Sequence, residues 1–234
     1  MSNFALTQDD AILFLMTLEP ERADLIITDP AYSSLEKHRA KGTTTRLKVS
    51  DGSSNEWFPV VPNEYFVGFF EQCYRVLKKN SHMYILCDVE TMLAIKPMGE
   101  AVGFSWWSPI VWDKMKIGMG YHYRSQYELI LFFEKGKRKL NNLGIPNVLR
   151  VPRVHGGFPT EKPVELLETL VTQSSQPGEL CVDPFMGSGS TGMAALKHGR
   201  RFLGCDITVK AFEEAARRLS GPPADIRQLP LPVA

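Results

Sequence analysis

The chain has 234 residues, 44% of them hydrophobic, enough to bury a full core in one domain. Lys plus Arg (27) nearly cancels Asp plus Glu (26), which excludes the overall basic footprint of small nucleic-acid binders, so a polyanion would have to meet a local patch. Four scattered cysteines, Cys73, Cys87, Cys181 and Cys205, form no C-x-x-C pair and argue against zinc or a disulfide scaffold. No basic-then-apolar leader and no apolar run of about 18 residues occurs, so the expected place is the cytoplasm, with no membrane.

Asn3 to Leu6 reads as a short strand, and Ala11 to Leu18 as a helix with Asp9 or Asp10 at its N-cap. Glu21 and Asp24 mark a turn. Leu25 to Thr28 then reads as a buried strand, ended by Asp29-Pro30-Ala31-Tyr32 because proline has no N–H for the ladder. A carboxylate, a carbonyl and an aromatic face are thereby delivered to the carboxyl edge of a sheet, where open α/β folds bind ligands. A planar heterocycle with an exocyclic NH₂ would satisfy all three, although a plain turn with a capping acid has the same pattern.

Residues 33–60 read as a long basic loop insertion carrying Lys37, His38, Arg39, Lys41, Arg46 and Lys48. Pro62 to Leu77 has helical spacing and is closed by Lys78, Lys79 and Asn80. Met83 to Cys87 reads as a strand, Glu90 to Val102 as a helix despite Pro97, and Trp106 to Trp112 and Tyr127 to Phe133 as strands. No helix joins these last two, so one should run antiparallel to the rest. The segment 135–155 is short, basic and irregular.

Helices at Lys162 to Thr172, Ser190 to His198 and Val209 to Leu219 alternate with strands at Leu180 to Asp183 and Arg201 to Asp206, and residues 221–234 form a non-regular tail. Trp106 and Trp107 read as strand core, and His122, His155 and His198 as structural or surface residues. The whole pattern implies an α/β fold, a mostly parallel sheet with helices on both faces.

The second chemical signal is Asp183-Pro184-Phe185-Met186-Gly187-Ser188-Gly189-Ser190-Thr191, a strand end, glycine-rich turn and helix start. Such a turn lets a ligand approach the backbone and aims free N–H groups at it. Asp206, ending the next strand, is placed to accept from a ribose diol. The glycines also spell G-x-G-x-x-G, so an NAD-type site stays open, but Asp183 at the strand tip would repel a pyrophosphate and would suit an ammonium.

These two motifs, with Thr160-Glu161-Lys162-Pro163 between them, resemble the β-class DNA amino-methyltransferases, in the same order and from about Asp10 to Leu219. The resemblance implies a Rossmann-like, seven-stranded sheet with one antiparallel strand, circularly permuted, within a single domain at 1–220. It implies S-adenosylmethionine as cofactor, with Asp183, Phe185, Gly187, Ser188, Gly189 and Thr191 at the methionine end, Thr160 and Lys162 by its carboxylate, Asp206 on the ribose and Asp10 near the adenine.

Asp29, Pro30 and Tyr32 fall on the catalytic motif, usually Asp-Pro-Pro-Tyr; Ala31 is the departure. The implied reaction is methylation of adenine N6 in DNA after base flipping, with cytosine N4 as the alternative; RNA as substrate, a non-catalytic nucleic-acid binder and a dehydrogenase stay open. Lys37, Arg39, Arg46, Lys48, Lys114, Lys116 and Arg124 are the candidate phosphate contacts, and Arg124 with Glu128 resembles a family Arg-x-x-x-Glu segment or forms a local ion pair. No metal is implied, and a homodimer is compatible with the family.

Overall fold

The computed structural model describes residues 3–32, 59–118 and 122–220. The expected positions Lys37, Arg39, Arg46 and Lys48, and the tail 221–234, lie outside them.

Strand β1 (Phe4–Gln8) leads into helix α1 (Ala11–Met16), and Asp10 is its N-cap, accepting from the amides of Ile12 and Leu13. Strand β2 (Ala23–Thr28) follows and is buried along its whole length. Then come α2 (Tyr65–Val76), β3 (Leu77–Cys87), α3 (Val89–Ala101), β4 (Ser105–Asp113), β5 (Tyr127–Lys135) and β6 (Val148–Arg150). The chain closes through α4 (Val164–Ser174), β7 (Leu180–Asp183), α5 (Ser190–Lys197), β8 (Arg201–Asp206) and α6 (Val209–Leu219).

Among the described residues the strands form one eight-stranded sheet in the order β1-β8-β7-β2-β3-β5-β4-β6. Only β5 runs against the others, pairing antiparallel with both β3 and β4, as the missing crossover helix implied. The seven expected strands become eight because β6, three residues inside the segment read as irregular, adds in parallel to β4. A strand that short has no readable periodicity and owes its form to its neighbour.

Two further readings change. Asp24 is buried inside β2, not in a turn: its carboxylate accepts from the Leu180 amide at 2.9 Å and from Lys78 at 2.6 Å. Lys78 to Asn80 open β3 rather than closing α2. The β2–β3 register jumps from Ala23↔Leu77 to Leu25↔His82, a bulge that seats Asn80 at φ 62° and hides the strand's start from pattern reading.

Side-chain alternation divides the core. Ile26, Met83 and Ile85 face α1 to α3 with Phe66, Phe69, Phe70 and Phe133, while Leu25, Ile27, Tyr84 and Leu86 face α4 to α6 with Leu166, Leu170, Ala195 and Phe202. Truncating a fully buried phenylalanine such as Phe70 costs about 3–5 kcal/mol in such a core. The consequence for function is where the sheet splits: from β2 the chain passes to β3 on one side, while β7 pairs with β2 on the other. A crevice opens at the carboxyl ends of such neighbours. No helix of the described residues is long and apolar enough to cross a membrane.

Candidate active site

Asp29 and Pro184 each directly follow the tips of hydrogen-bonded strands, β2 and β7. One cavity of about 650 Å³ opens there, lined by Asp29 to Tyr32, Asp183 to Ser188, Asp206 and Asp10. The two separated motifs therefore share one chamber.

On the glycine-loop side the backbone is tied down locally. Gly187 and Gly189 both have positive φ, 50° and 80°, and a Cβ on Gly189 would press on Ala215 at 3.1 Å. A Cβ on Gly187 would meet nothing within 4 Å, so this residue presents bare backbone to the chamber. Asp206 Oδ2 accepts from the Gly187 amide at 3.0 Å, while Oδ1 accepts from the amide and hydroxyl of Thr208. Oδ2 retains a lone pair for one more donor. Asp10 has a similar double role: beyond capping α1, its Oδ2 accepts from the Tyr65 hydroxyl at 2.8 Å.

Asp183 is buried, and burial pushes its carboxyl up to about 7, against the hydroxyls of Thr191 and Thr28 and the Phe185 amide, which favour the charged form. Phe185 packs against Phe69 at 5.5 Å and Tyr65 at 6.4 Å. Arg218 clamps the loop from α6: it donates to Ser188 O at 2.9 Å and Ser188 Oγ at 2.7 Å, and pairs with Glu161 at 2.8 Å. Glu161 in turn accepts from the Phe158 amide. The segment around Thr160, itself exposed at φ 59°, is thus pinned to the glycine loop.

The Asp29 side is built from charges far apart in sequence. Lys162 donates to Asp29 Oδ2 and lies 3.8 Å from Glu128 Oε2; Lys114 reaches the other oxygen of Glu128 at 2.5 Å. Burial pushes Asp29 up, opposed by Lys162 and reinforced by Glu128. Glu128 is held below the usual glutamate range, its burial outweighed by Lys162 and Lys114. Lys162 loses solvation too, yet the two carboxylates hold it above the usual lysine range. Tyr32 is buried, forms a parallel bridge with Val61, and has its phenol pushed up by burial. The Val61 amide also donates to Ala31 O at 2.7 Å.

Tertiary packing sets the rest of this wall. Lys162 lies against Asp29, and Lys114 is a wall of the chamber over the Trp112 ring rather than an exposed charge. Lys116 and Arg124 are exposed, and Glu128 bonds to Lys114 and Lys162 rather than forming an ion pair with Arg124. Trp107 is 65% exposed and donates to Glu134, so only its partly buried neighbour Trp106 packs on the core. His198 has an acidic partner, Glu168, at 3.1 Å, and His155 lines the chamber. Glu128 carried a signal in its Arg-x-x-x-Glu spacing and Glu161 in the segment around Lys162; Arg218 carried none, because its pairing with Glu161 and Ser188 is purely tertiary.

A mostly parallel α/β sheet with its ligand chamber at the switch between β2 and β7 defines an open α/β ligand-binding protein. Comparison narrows this. The DNA methylase family model (N6_N4_Mtase) matches residues 23–217. DNA adenine methyltransferase YhdJ of Escherichia coli (strain K12) is 29% identical, over 90% of this chain and 80% of its own. Type II methyltransferase M.HpaI of Haemophilus parainfluenzae is also 29% identical, over 90% and 72%.

Two solved structures share the fold. The M1.HpyAVI–SAM complex has a TM-score of 0.67 at 24% identity, covering 92% of this chain and all (100%) of that one. The cytosine-N4-specific PvuII DNA methyltransferase has a TM-score of 0.72 at 16% identity, covering 92% and 86%. The chain belongs to the DNA methylase family, which methylates N6 of adenine or N4 of cytosine and uses S-adenosylmethionine.

Proposed function

We propose that this chain transfers a methyl group from S-adenosylmethionine to N6 of adenine in DNA. The observation that carries the reading is the convergence of Asp29-Pro30-Ala31-Tyr32 and the 183–191 loop on one chamber from paired strands. The residues present fit the cofactor. Gly187 offers bare backbone, Asp206 Oδ2 and Asp10 Oδ2 each retain accepting capacity, and Asp183 is a carboxyl that a cationic amino group would ionise. In this reading Phe185, Ser188, Gly189 and Thr191 shape the methionine end, Thr160 lies near its carboxylate, Asp206 holds the ribose and Asp10 the adenine edge. Bound there, the cofactor supplies an electrophilic sulfonium methyl.

The target nitrogen is a weak nucleophile because its lone pair is delocalised into the ring. Asp29 and the Pro30 carbonyl accept its two N–H bonds, which localises the lone pair and stabilises the positive charge that develops on nitrogen. As the nitrogen gains the methyl group it loses a proton, which Asp29 is placed to pass to water. Reaching this chamber requires flipping the base from the duplex, at a cost of a few kcal/mol, part of which stacking on an aromatic face such as Tyr32 offsets. Lys116 and Arg124, both exposed, remain proposed phosphate contacts, together with Lys37, Arg39, Arg46 and Lys48.

Residues 1–220 act as one methyltransferase domain, and the sheet is a permuted one in which the catalytic strand precedes the cofactor strand. Adenine is preferred over cytosine because the motif opens with Asp29, where cytosine-N4 members more often carry serine. The shared fold with the PvuII enzyme keeps cytosine N4 as the second reading. Incubating the chain with DNA and labelled cofactor, then digesting to nucleosides, decides: N6-methyl-2′-deoxyadenosine product supports the proposal, N4-methyl-2′-deoxycytidine replaces it, and tight NAD binding without S-adenosylmethionine binding removes both.

A further inference from the structure

Lys114, Glu128, Lys162 and Asp29 form a row of alternating charge that ends on the proposed catalytic carboxylate. Resting on the methyltransferase reading, we propose that Lys162 is a positioning residue that supplies the counter-charge for Asp29, and that Glu128, anchored by Lys114, shares that charge and so limits how strongly Lys162 grips Asp29. The resemblance to the family implied a place for Lys162 beside the cofactor's carboxylate; the row gives it a second task, toward the target.

The geometry supports each link. Lys162 and Glu128 are mostly buried, with side chains 13% and 22% exposed, so water screens their charges poorly. Lys162 bonds Oδ2 of Asp29, which fixes the carboxylate's rotation and leaves Oδ1 for another donor. An acceptor in this place has two conflicting needs. It must stay ionised in a partly dry chamber, which calls for a cation; it must also keep enough electron density to accept from a neutral amino group, which a fully committed cation would withdraw. Glu128, 3.8 Å from the same ammonium, divides that cation between two acids.

Among the described residues, the other titratable groups around Asp29 are acids: Asp183 at the end of β7, Cys87 at the end of β3, Asp88 just after it, and Tyr32 on its own loop. Lys114 acts on Asp29 less strongly than Lys162 does and is bonded to Glu128.

The two neighbours of Asp29 therefore act on it with opposite sign, which a structural role would not do. Carboxyl-¹³C NMR titration of the full chain, with Asp29→Asn to identify the resonance, reads this directly. Lys162→Met should raise the Asp29 midpoint by roughly 1–3 pH units, the size of effect a neighbouring cation has on an aspartate. Glu128→Gln should lower it, and Lys162→Arg should restore it. The acid limb of the kcat–pH profile, at saturating S-adenosylmethionine, should move the same way.

An unchanged midpoint in Lys162→Met overturns the proposal. So does a rise in KM for the cofactor with an unmoved kcat–pH profile, which would make Lys162 a cofactor residue only. Should Lys162→Met fail to fold, the Glu128→Gln shift decides alone: a fall supports the charge row, no change or a rise sinks it. If the midpoints move as described but no protein methylates DNA, the charge row stands and the methyltransferase reading fails.

Discussion

The two walls of the chamber are built in opposite ways. The glycine-loop wall is held mainly by nearby backbone: Asp183 accepts from an amide two residues on, Asp206 accepts from its own Thr208 and from Gly187, 19 residues away, and Arg218 adds a clamp on Ser188 from 30 residues away. The Asp29 wall is assembled across the fold, with Lys162 reaching Asp29 over 133 positions of chain. Backbone-anchored hydrogen bonds hold the first wall in shape before a ligand arrives. Long flexible ammonium groups hold the second, where a modest change of charge redistributes contacts. Rigid cradle and adjustable acceptor suit the proposed reaction, in which the cofactor is always the same and the target base is flipped in each time.

That contrast can be broken most sharply at Asp29. Asp29→Ala should cut methylation by about 10²–10³-fold or more, the usual cost of removing a group that stabilises transition-state charge, and should leave S-adenosylmethionine affinity almost intact; single-turnover rates and calorimetry measure the two separately. A variant that methylates near the wild-type rate would remove Asp29 from the chemistry.

The local wall should fail differently, through folding and cofactor binding together. At Gly189, φ is 80° and Ala215 lies at 3.1 Å from a built Cβ, so Gly189→Val should destabilise by about 2–4 kcal/mol from left-handed strain and overpacking. Urea denaturation would show it as a fall in midpoint, and a midpoint equal to wild type would contradict the close approach.

A smaller effect is expected at Asp206. Asp206→Ala frees the Gly187 and Thr208 donors, costing about 1–3 kcal/mol of stability, and should weaken cofactor binding well before it lowers kcat. The reverse order, with kcat falling at unchanged affinity, would place Asp206 on the wrong side of the chamber.

The smallest effect tests the buried acid. Burial raises the Asp183 carboxyl from the ordinary aspartate range to about 7, so the folded state holds its proton more tightly than the unfolded chain does. Its favourable contribution is complete at low pH, shrinks as pH rises above the unfolded value, and is gone once pH passes about 7. In ligand-free protein, Asp183→Asn should therefore gain on wild type by about 1 kcal/mol per pH unit between about pH 5 and 7, and stay level above that. Denaturation curves in that window with no closing gap would show that Asp183 is charged in the fold.

What could be read before folding follows the same division. Strands β7 and β8 and helix α6 were legible residue for residue, and so was the presence of one antiparallel strand, though not which of β4 and β5 it is nor that β5 runs on to Lys135, because a buried apolar run or a missing crossover is written in consecutive positions. The motifs carrying Asp29 and the glycine loop were legible for that reason too. The three-residue β6, the bulged start of β3 and the burial of Asp24 were not, since each exists only against a partner strand or a lysine supplied from elsewhere.

Composition, periodicity and motif order thus settled an α/β sheet and the two loops that matter. Folding alone decided that Lys162 meets Asp29, that Glu128 turns to Lys114 and not Arg124, and that Arg218 staples Glu161 to Ser188. Periodicity reports which face of an element is buried, whereas an ion pair depends on where two distant side chains end in space. That position is set by the packing of the whole sheet, and no local stretch of chain contains it.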